Sequence, residues 1–253
     1  MSGTLFLVPN TLDFGVANGD PLSLPDDLPL GVVRTAARLG HWVAENAKTT
    51  RAFLKRVDAV VPLTRALQAI EIVELPRPPK GSKLPPASSS LDRLLAPALS
   101  GQDMGLISEA GLPAVADPGA LLVEAAHRLS IKVVPLPGAS SLLLALAASG
   151  LNGQSFAFVG YLPVDATERA TRIRELEGLS RRAGQTQMLI ETPYRNEAML
   201  EALLAALAPG TRLSVSCGLS LPSGWTRTDT VARWKAVKTA VPKDIPAVFS
   251  LLA

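Results

Sequence analysis

Apolar and polar positions along the chain follow two rhythms, short apolar runs and longer stretches with a helical repeat. TLFLVP at 4–9 reads as a short buried strand broken by Pro9, and a Pro/Asp-rich loop follows to about Pro29. The segment from Leu30 to Val57 then offers a helix, a short strand near Trp42 to Ala44 and a second helix. IEIVEL at 70–75 is the next strand. The prolines and serines of PRPPKGSKLPPASSS, 76–90, predict an exposed loop or lid without regular structure. LDRLLAPALS at 91–100 reads as one helix and MGLIS at 104–108 as a strand. DPGALLVEAAHRL at 117–129 reads as a helix with Asp117 as N-cap and Pro118 at its first position. IKVVPLPG at 131–138 supplies another strand. Strands alternating with helices predict a parallel α/β layer, closing a first domain at 1–138.

The second domain, 139–253, opens with SSLLLALAASGL, so apolar on every side that burial all round is expected, as for an element between two domains. SFAFVGYLP, QTQMLIETP, TRLSVSCGL and PAVFSLLA then read as strands, with helices at 168–182 and 196–207. The expected fold is α/β: an N-terminal parallel sheet with flanking helices and a C-terminal α/β domain with a mixed sheet.

Composition narrows the class. With 47% hydrophobic and 19% charged residues in 253, the chain can bury substantial cores, and at 4% aromatic those cores are aliphatic. The longest apolar run, Leu142 to Ala148, falls short of the roughly 20 residues that span a bilayer. MSGTLFLVPN lacks a signal-type pattern, so a cytoplasmic protein away from membranes is expected. Cys217 is the only cysteine, which excludes an internal disulfide, and it reads as a packed small residue. His41 and His127 stand far apart, and no metal site is expected. The net charge of +3 permits an acidic partner such as RNA, with local basic groups at Lys55-Arg56 and Arg169-Arg172-Arg174.

The motifs exclude several chemistries. The chain has no G-x-G-x-x-G after a strand, no Walker-type loop, no G-x-S-x-G and no H-E-x-x-H. Small-residue loops instead follow three predicted strands: VPN at 8–10, ISEAG at 107–111 and PLPGASS at 135–141. Ligands bind at that edge of open α/β sheets, where helix N-termini and free backbone N–H groups converge. Gly111 and Gly138 would there let the backbone approach a flat polar molecule; simple turn chemistry is the competing explanation for any one loop.

Residues 105–151, with S-E-A-G-L-P, then A-D-P-G, then V-P-L-P-G-A-S-S, resemble the tetrapyrrole methylase superfamily, most closely its ribosomal RNA small-subunit methyltransferase I branch. The likeness continues through FVGYLP, LIETPYR, GWTRTD and KDIPAVFSL, and more weakly through TLFLVP and AENAKTTRAFL. The resemblance implies S-adenosyl-L-methionine as cofactor, bound in a cleft between two domains. It assigns cofactor contacts to Pro9, Ser108, Glu109, Ala110, Gly111, Asp117, Pro137, Gly138, Ala139, Ser140 and Glu191. Glu191 also reads as a strand-end charge, and Arg195 either as a helix start or as a contact to an acidic substrate. Where the family has E-D-T-R this chain has Glu45-Asn46-Ala47-Lys48, which makes Glu45 and Lys48 the catalytic candidates beside the acceptor. A plain helix start with acid and base three apart accounts for the same pair. The family's T-P-I-G-N is replaced by PNTLDFG, and its R-E-L-T-K by GLSLPSG. Three functions stand open: a methyltransferase acting on RNA at a ribose 2′-oxygen, one acting on a small molecule such as a tetrapyrrole, and a catalytically degenerate S-adenosylmethionine-binding protein. The resemblance also implies a homodimer.

Overall fold

The computed structural model describes residues 2–12, 24–76 and 88–253. The chain divides into two compact units, Met1–Ser140 and Ser141–Ala253. The expected proline lid lies outside the described residues from 77 to 87, and its final serines open a helix.

In the first unit the order is β1 (Thr4–Leu7), α1 (Leu24–Asp27), α2 (Leu30–Arg38), β2 (His41–Ala44), α3 (Ala47–Val60), β3 (Glu71–Glu74), α4 (Ser88–Leu94), α5 (Ala96–Leu99), β4 (Met104–Ile107), α6 (Ala120–Arg128) and β5 (Lys132–Pro135). The strands form one parallel sheet in the order β3-β2-β4-β1-β5. Side chains alternate across it. Val8, Trp42, Ala44 and Ile107 pack against α1, α2 and α3, through residues such as Leu28, Val33 and Leu54. Leu5, Val43, Met104 and Leu106 pack on the other face against Leu91, Leu95, Ala98, Leu122 and Ala126 of the α4–α6 side. These continuous apolar runs are what a strand covered on both faces requires. The helices leaving β1 therefore lie on one face and the helix leaving β4 on the other. β1 and β4 are neighbours, so a crevice opens between their carboxyl ends.

The second unit runs α7 (Ser141–Ser149), β6 (Phe156–Phe158), α8 (Ala166–Ala183), β7 (Thr186–Glu191), α9 (Asn196–Ala206), β8 (Arg212–Cys217), β9 (Trp225–Thr230), α10 (Val231–Ala236) and β10 (Ala247–Leu252). Its sheet is mixed, order β6-β7-β10-β8-β9: β6 and β7 are parallel and every other pair is antiparallel. Ile173, Leu176, Leu203 and Trp234 bury one face of it, and α7 covers the other through Leu142, Ala145 and Leu146.

Several elements differ from expectation, among them α1, inside the loop expected before Pro29, and α10, which was not expected. The helix at 117–129 starts only at Ala120, with Gly119 as N-cap at φ 132° and no side-chain cap, so Asp117 is not the N-cap. LDRLLAPALS is broken at Leu95 into α4 and α5, because Pro97 can occupy only a first helical turn. α7 is not buried all round: Leu143 is 52% and Leu144 42% exposed in the chain. WTRTDT forms β9, whose polar side chains concealed it; Ser214 and Ser216 meet Thr228 and Thr226 in hydroxyl hydrogen bonds across the pair.

Gly105 lies in β4 against Trp42, and a Cβ there would stand 2.7 Å from the indole ring. Gly105→Ala is expected to cost about 1–3 kcal/mol through overpacking. A urea-unfolding midpoint unchanged from wild type would contradict this.

Candidate functional site

β1 is followed by Val8-Pro9, and the next residue, Asn10, reaches across to the loop after β4. The Asn10 backbone N–H donates to Gly111 O at 2.9 Å, and Gly111 N–H returns a bond to Asn10 O at 3.2 Å. The Asn10 side chain, on a residue 7% exposed, donates through Nδ2 to Ser108 O at 3.2 Å and Glu109 O at 2.9 Å. Its Oδ1 accepts from Thr11 N–H at 2.9 Å. One side chain thus satisfies carbonyls that the end of β4 leaves unpaired. The sequence reading assigned Pro9 but missed Asn10. An amide side chain just past a strand-ending proline was the available signal.

The loop that Asn10 holds is unusual in its backbone. Gly111 has φ 67°, Ala114 65°, Ala116 64° and Gly119 132°. For the two alanines this left-handed region costs about 1–3 kcal/mol each, which the surrounding bonds must outweigh. Gly138 meets a packing need. A Cβ at Gly138 would stand 2.3 Å from Pro9 Cβ, so the glycine lets the end of β5 lie against the end of β1. At Gly111 an added Cβ would meet Leu12 at 3.3 Å and Ala139 O at 3.6 Å, bringing 9–12, 108–111 and 137–139 together. Ser140 is buried, whereas Pro137 is exposed and Ala110 and Ala139 half-buried.

Three carboxylates gather beside this loop. Glu45, just after β2, accepts a hydrogen bond from Glu109 N–H at 3.0 Å. Burial first, and then the charges of Glu45 and Glu109, push the Asp117 carboxyl up to about 7. Asp117 is therefore held in an acidic, half-desolvated position. Ser108 is 3% exposed, and its Oγ has no hydrogen-bond partner among the described residues. A buried hydroxyl without a partner is costly, and marks a point where a ligand atom would be favoured.

Lys48 stands apart from this cluster in character. It is exposed in the first turn of α3, whose N-cap Asn46 accepts from Lys48 N–H at 2.9 Å. Glu191 belongs to the second unit. It is buried, accepts from Thr192 N–H at 2.8 Å, and pairs with Arg195 at 3.0 Å. Arg195 therefore meets an acidic group of its own unit, just before α9. Cys217 is buried, and burial followed by the charge of Asp244 raises its thiol pKa, which disfavours a thiolate nucleophile.

A doubly wound sheet with a bonded crevice at its switch point, in a chain whose second unit has a mixed sheet, defines an α/β class that binds ligands at strand ends. The model for Tetrapyrrole (Corrin/Porphyrin) Methylases matches residues 21–230, and the chain belongs to that family. Among curated relatives it is 38% identical over 139 residues to a ribosomal RNA small subunit methyltransferase I of Mesorhizobium japonicum, covering 55% of this chain and 46% of that protein. It is 32% identical over 204 residues to the Streptococcus pyogenes protein of the same name, covering 81% of this chain and 61% of that one. The chain thus spans about half to three-fifths of the length of these relatives. Among solved structures, a diphthine synthase is similar with TM-score 0.60 at 15% identity, covering 99% of this chain and 90% of that one. A uroporphyrin-III C-methyl transferase from Thermus thermophilus, complexed with S-adenyl homocysteine, gives 0.53 at 18% identity over 99% and 97% of the two chains. These likenesses carry the fold. No helix among the described residues is long and apolar enough to cross a membrane.

Asn10→Ala would leave the Ser108 and Glu109 carbonyls without their donor and is expected to lose about 1–3 kcal/mol, read from urea unfolding. Asp117 sets a pH dependence. Its folded pKa of about 7 exceeds the ordinary 3.8, so the folded state keeps a proton that the unfolded chain releases. Its contribution to stability is present below the unfolded value and is lost as pH rises through the folded one. Asp117→Asn should flatten the decline in stability between about pH 4 and 7. Parallel wild-type and variant curves would contradict the placement.

Proposed function

We propose that the chain is an S-adenosylmethionine-dependent methyltransferase acting on RNA, at a ribose 2′-oxygen of small-subunit ribosomal RNA. The observation that carries the reading is the Asn10–Gly111 crevice at the β1/β4 switch point, in a chain whose curated relatives bear the name ribosomal RNA small subunit methyltransferase I. The donor set suits the ligand. Ser108 offers an uncommitted buried hydroxyl, and Gly111 a backbone unobstructed by a side chain. Glu45 and Glu109 supply the negative potential that a cationic ligand needs, and Asp117 adds to it above about pH 7. When bound, S-adenosylmethionine supplies a methyl group on a positively charged sulfur.

In this reading Pro9, Ala110, Pro137, Ala139 and Ser140 shape the walls, and Gly138 keeps two of them together through its contact with Pro9. Glu45 acts by holding the Glu109 amide, which fixes the loop. Lys48, exposed on α3, is a cation for the phosphate backbone of the acceptor. Glu191, paired with Arg195, orders the end of β7 in the second unit. The protein is proposed to be cytoplasmic and homodimeric, its exposed Leu143 and Leu144 contributing to an interface of about 800 Å² per partner.

Labelled S-adenosylmethionine incubated with small ribosomal subunits, and separately with small-molecule fractions from cells lacking the protein, tests the reading. Label in ribosomal RNA at a 2′-O-methyl nucleotide supports it. Label only in small molecules assigns a different acceptor, and binding without transfer to either assigns a degenerate protein. Gly111→Val should weaken S-adenosylhomocysteine binding at least tenfold by calorimetry. Gly184→Val, which places a branched residue at a positive φ of 59° in the second unit, is the control and should not. Light scattering should give a mass twice that of one chain; a monomer at micromolar concentration would remove the dimer.

A further inference from the structure

α3 leaves the end of β2 with its charges arranged against its own stability. The positive end of a helix dipole favours acids in the first turn, and the negative end favours cations in the last. In α3 the first turn has no acid and the last turn no base. Its three exposed cations, Lys48, Arg51 and Lys55, lie instead toward its start. No acidic side chain among the described residues pairs with any of them, whereas Arg38, Arg128, Arg172 and Lys243 each meet a carboxylate.

Helical geometry puts the three on one line. At 3.6 residues per turn they fall within about 60° of one another, and Phe53, Leu54 and Val57 bury the opposite face. The stripe is about 10 Å long and is closed at its far end by Asp58, whose Oδ1 accepts from Leu63 N–H at 2.9 Å. Helical side chains lean toward the N-terminus, and Arg51 does so, donating from Nη1 to Ala47 O at 3.4 Å. The stripe therefore leans toward the carboxyl edge of the sheet, where the crevice opens. Two bonds fix α3 to that edge. Glu45, two residues before the helix, accepts from Glu109 N–H at 3.0 Å, and Arg56 donates from Nη1 to Thr11 Oγ1 at 3.2 Å. Thr11 in turn gives its N–H to Asn10.

We propose that this stripe is the track for the backbone of the acceptor RNA, Arg51 and Lys55 holding the phosphates that follow the one at Lys48. The proposal rests on the RNA methyltransferase reading above. A strand of nucleic acid carries about three phosphates in a length of about 10 Å. The dipole of α3 adds positive potential at the end nearest the crevice. Cations that do nothing for the helix are thereby accounted for by an anion outside it. Phosphate contacts set register without reading sequence, so the stripe decides which nucleotide reaches the crevice.

The test measures binding of a labelled single-stranded RNA of about 12 nucleotides by fluorescence anisotropy over a range of salt. The double variant Arg51→Gln/Lys55→Gln should bind about tenfold more weakly at about 0.1 M salt. The slope of log affinity against log salt should become shallower by about 1.4, the amount due to two phosphates on a single strand. Arg51→Lys/Lys55→Arg should keep the slope. The Gln variant should melt no lower than wild type, since it removes cations from the positive half of a helix, and should bind S-adenosylhomocysteine as wild type does. Arg174→Gln/Arg181→Gln, which removes two exposed cations from α8, is the control and should leave the slope unchanged. An unchanged slope in the α3 variant, an equal change in the control, a lower melting temperature or weaker S-adenosylhomocysteine binding overturns the track. Wild-type protein that neither binds nor methylates RNA overturns the functional reading and the track with it. Wild type that methylates RNA, beside an α3 variant with the full salt slope, overturns the track alone.

Discussion

The bonding of Asn10 to the loop after β4 is the interaction on which the rest of the first unit's site depends. Parallel strands end with carbonyls and amides that their neighbours no longer satisfy, and at a switch point the helices that could cover them lie on opposite faces. Asn10 meets that need with one side chain and one peptide unit, bonding to Ser108, Glu109 and Gly111 together. The Ser108 hydroxyl is buried without a partner among the described residues. The loop can then hold two alanines in a left-handed backbone, because the residues on either side of them are fixed.

Acidity in the site follows from the same arrangement. Glu45 comes from the end of β2 and Glu109 from the end of β4, strands adjacent in the sheet, so their carboxylates are brought toward the α6 entry by register. The Glu109 amide ties Glu45 down, while Asp117 is left half-desolvated between like charges. Environment divides three similar acids into an anchor, a solvated charge and a half-buried carboxyl pushed up to about 7.

The second unit meets different constraints. Its sheet is closed on one side by α8, α9 and α10 and on the other by the single helix α7, whose outer face carries Leu143 and Leu144. Glu177, on the buried face of α8, accepts from Ala208 N–H at 2.8 Å and from the Thr211 hydroxyl, tying the turn before β8 to that helix. Arg227 lies 4.0 Å above the Trp234 ring and donates to Val237 O, fastening α10 to β9.

The sequence by itself determined the strands of the first sheet and their parallel class, since apolar runs bounded by helical periods leave little other way to bury Leu5, Trp42 or Leu106. It also pointed to the loops after β1, β4 and β5 through their glycines and prolines, and to the family through the order of those loops. The tertiary structure alone decided what these residues are for. Asp-Pro-Gly is the local signature of a helix start, but the chain enters α6 through Gly119 and leaves Asp117 beside Glu109 of its own loop and Glu45, which lies far from it in sequence. Gly138 also has a packing reason that the sequence did not reveal, the close approach of Pro9. β9 was concealed because its hydroxyls are satisfied by β8, a partner that local periodicity does not reveal. The physical reason is common to all three: periodicity records which face of an element is buried, whereas a site depends on which atoms meet across strands, and only strand order and register fix that.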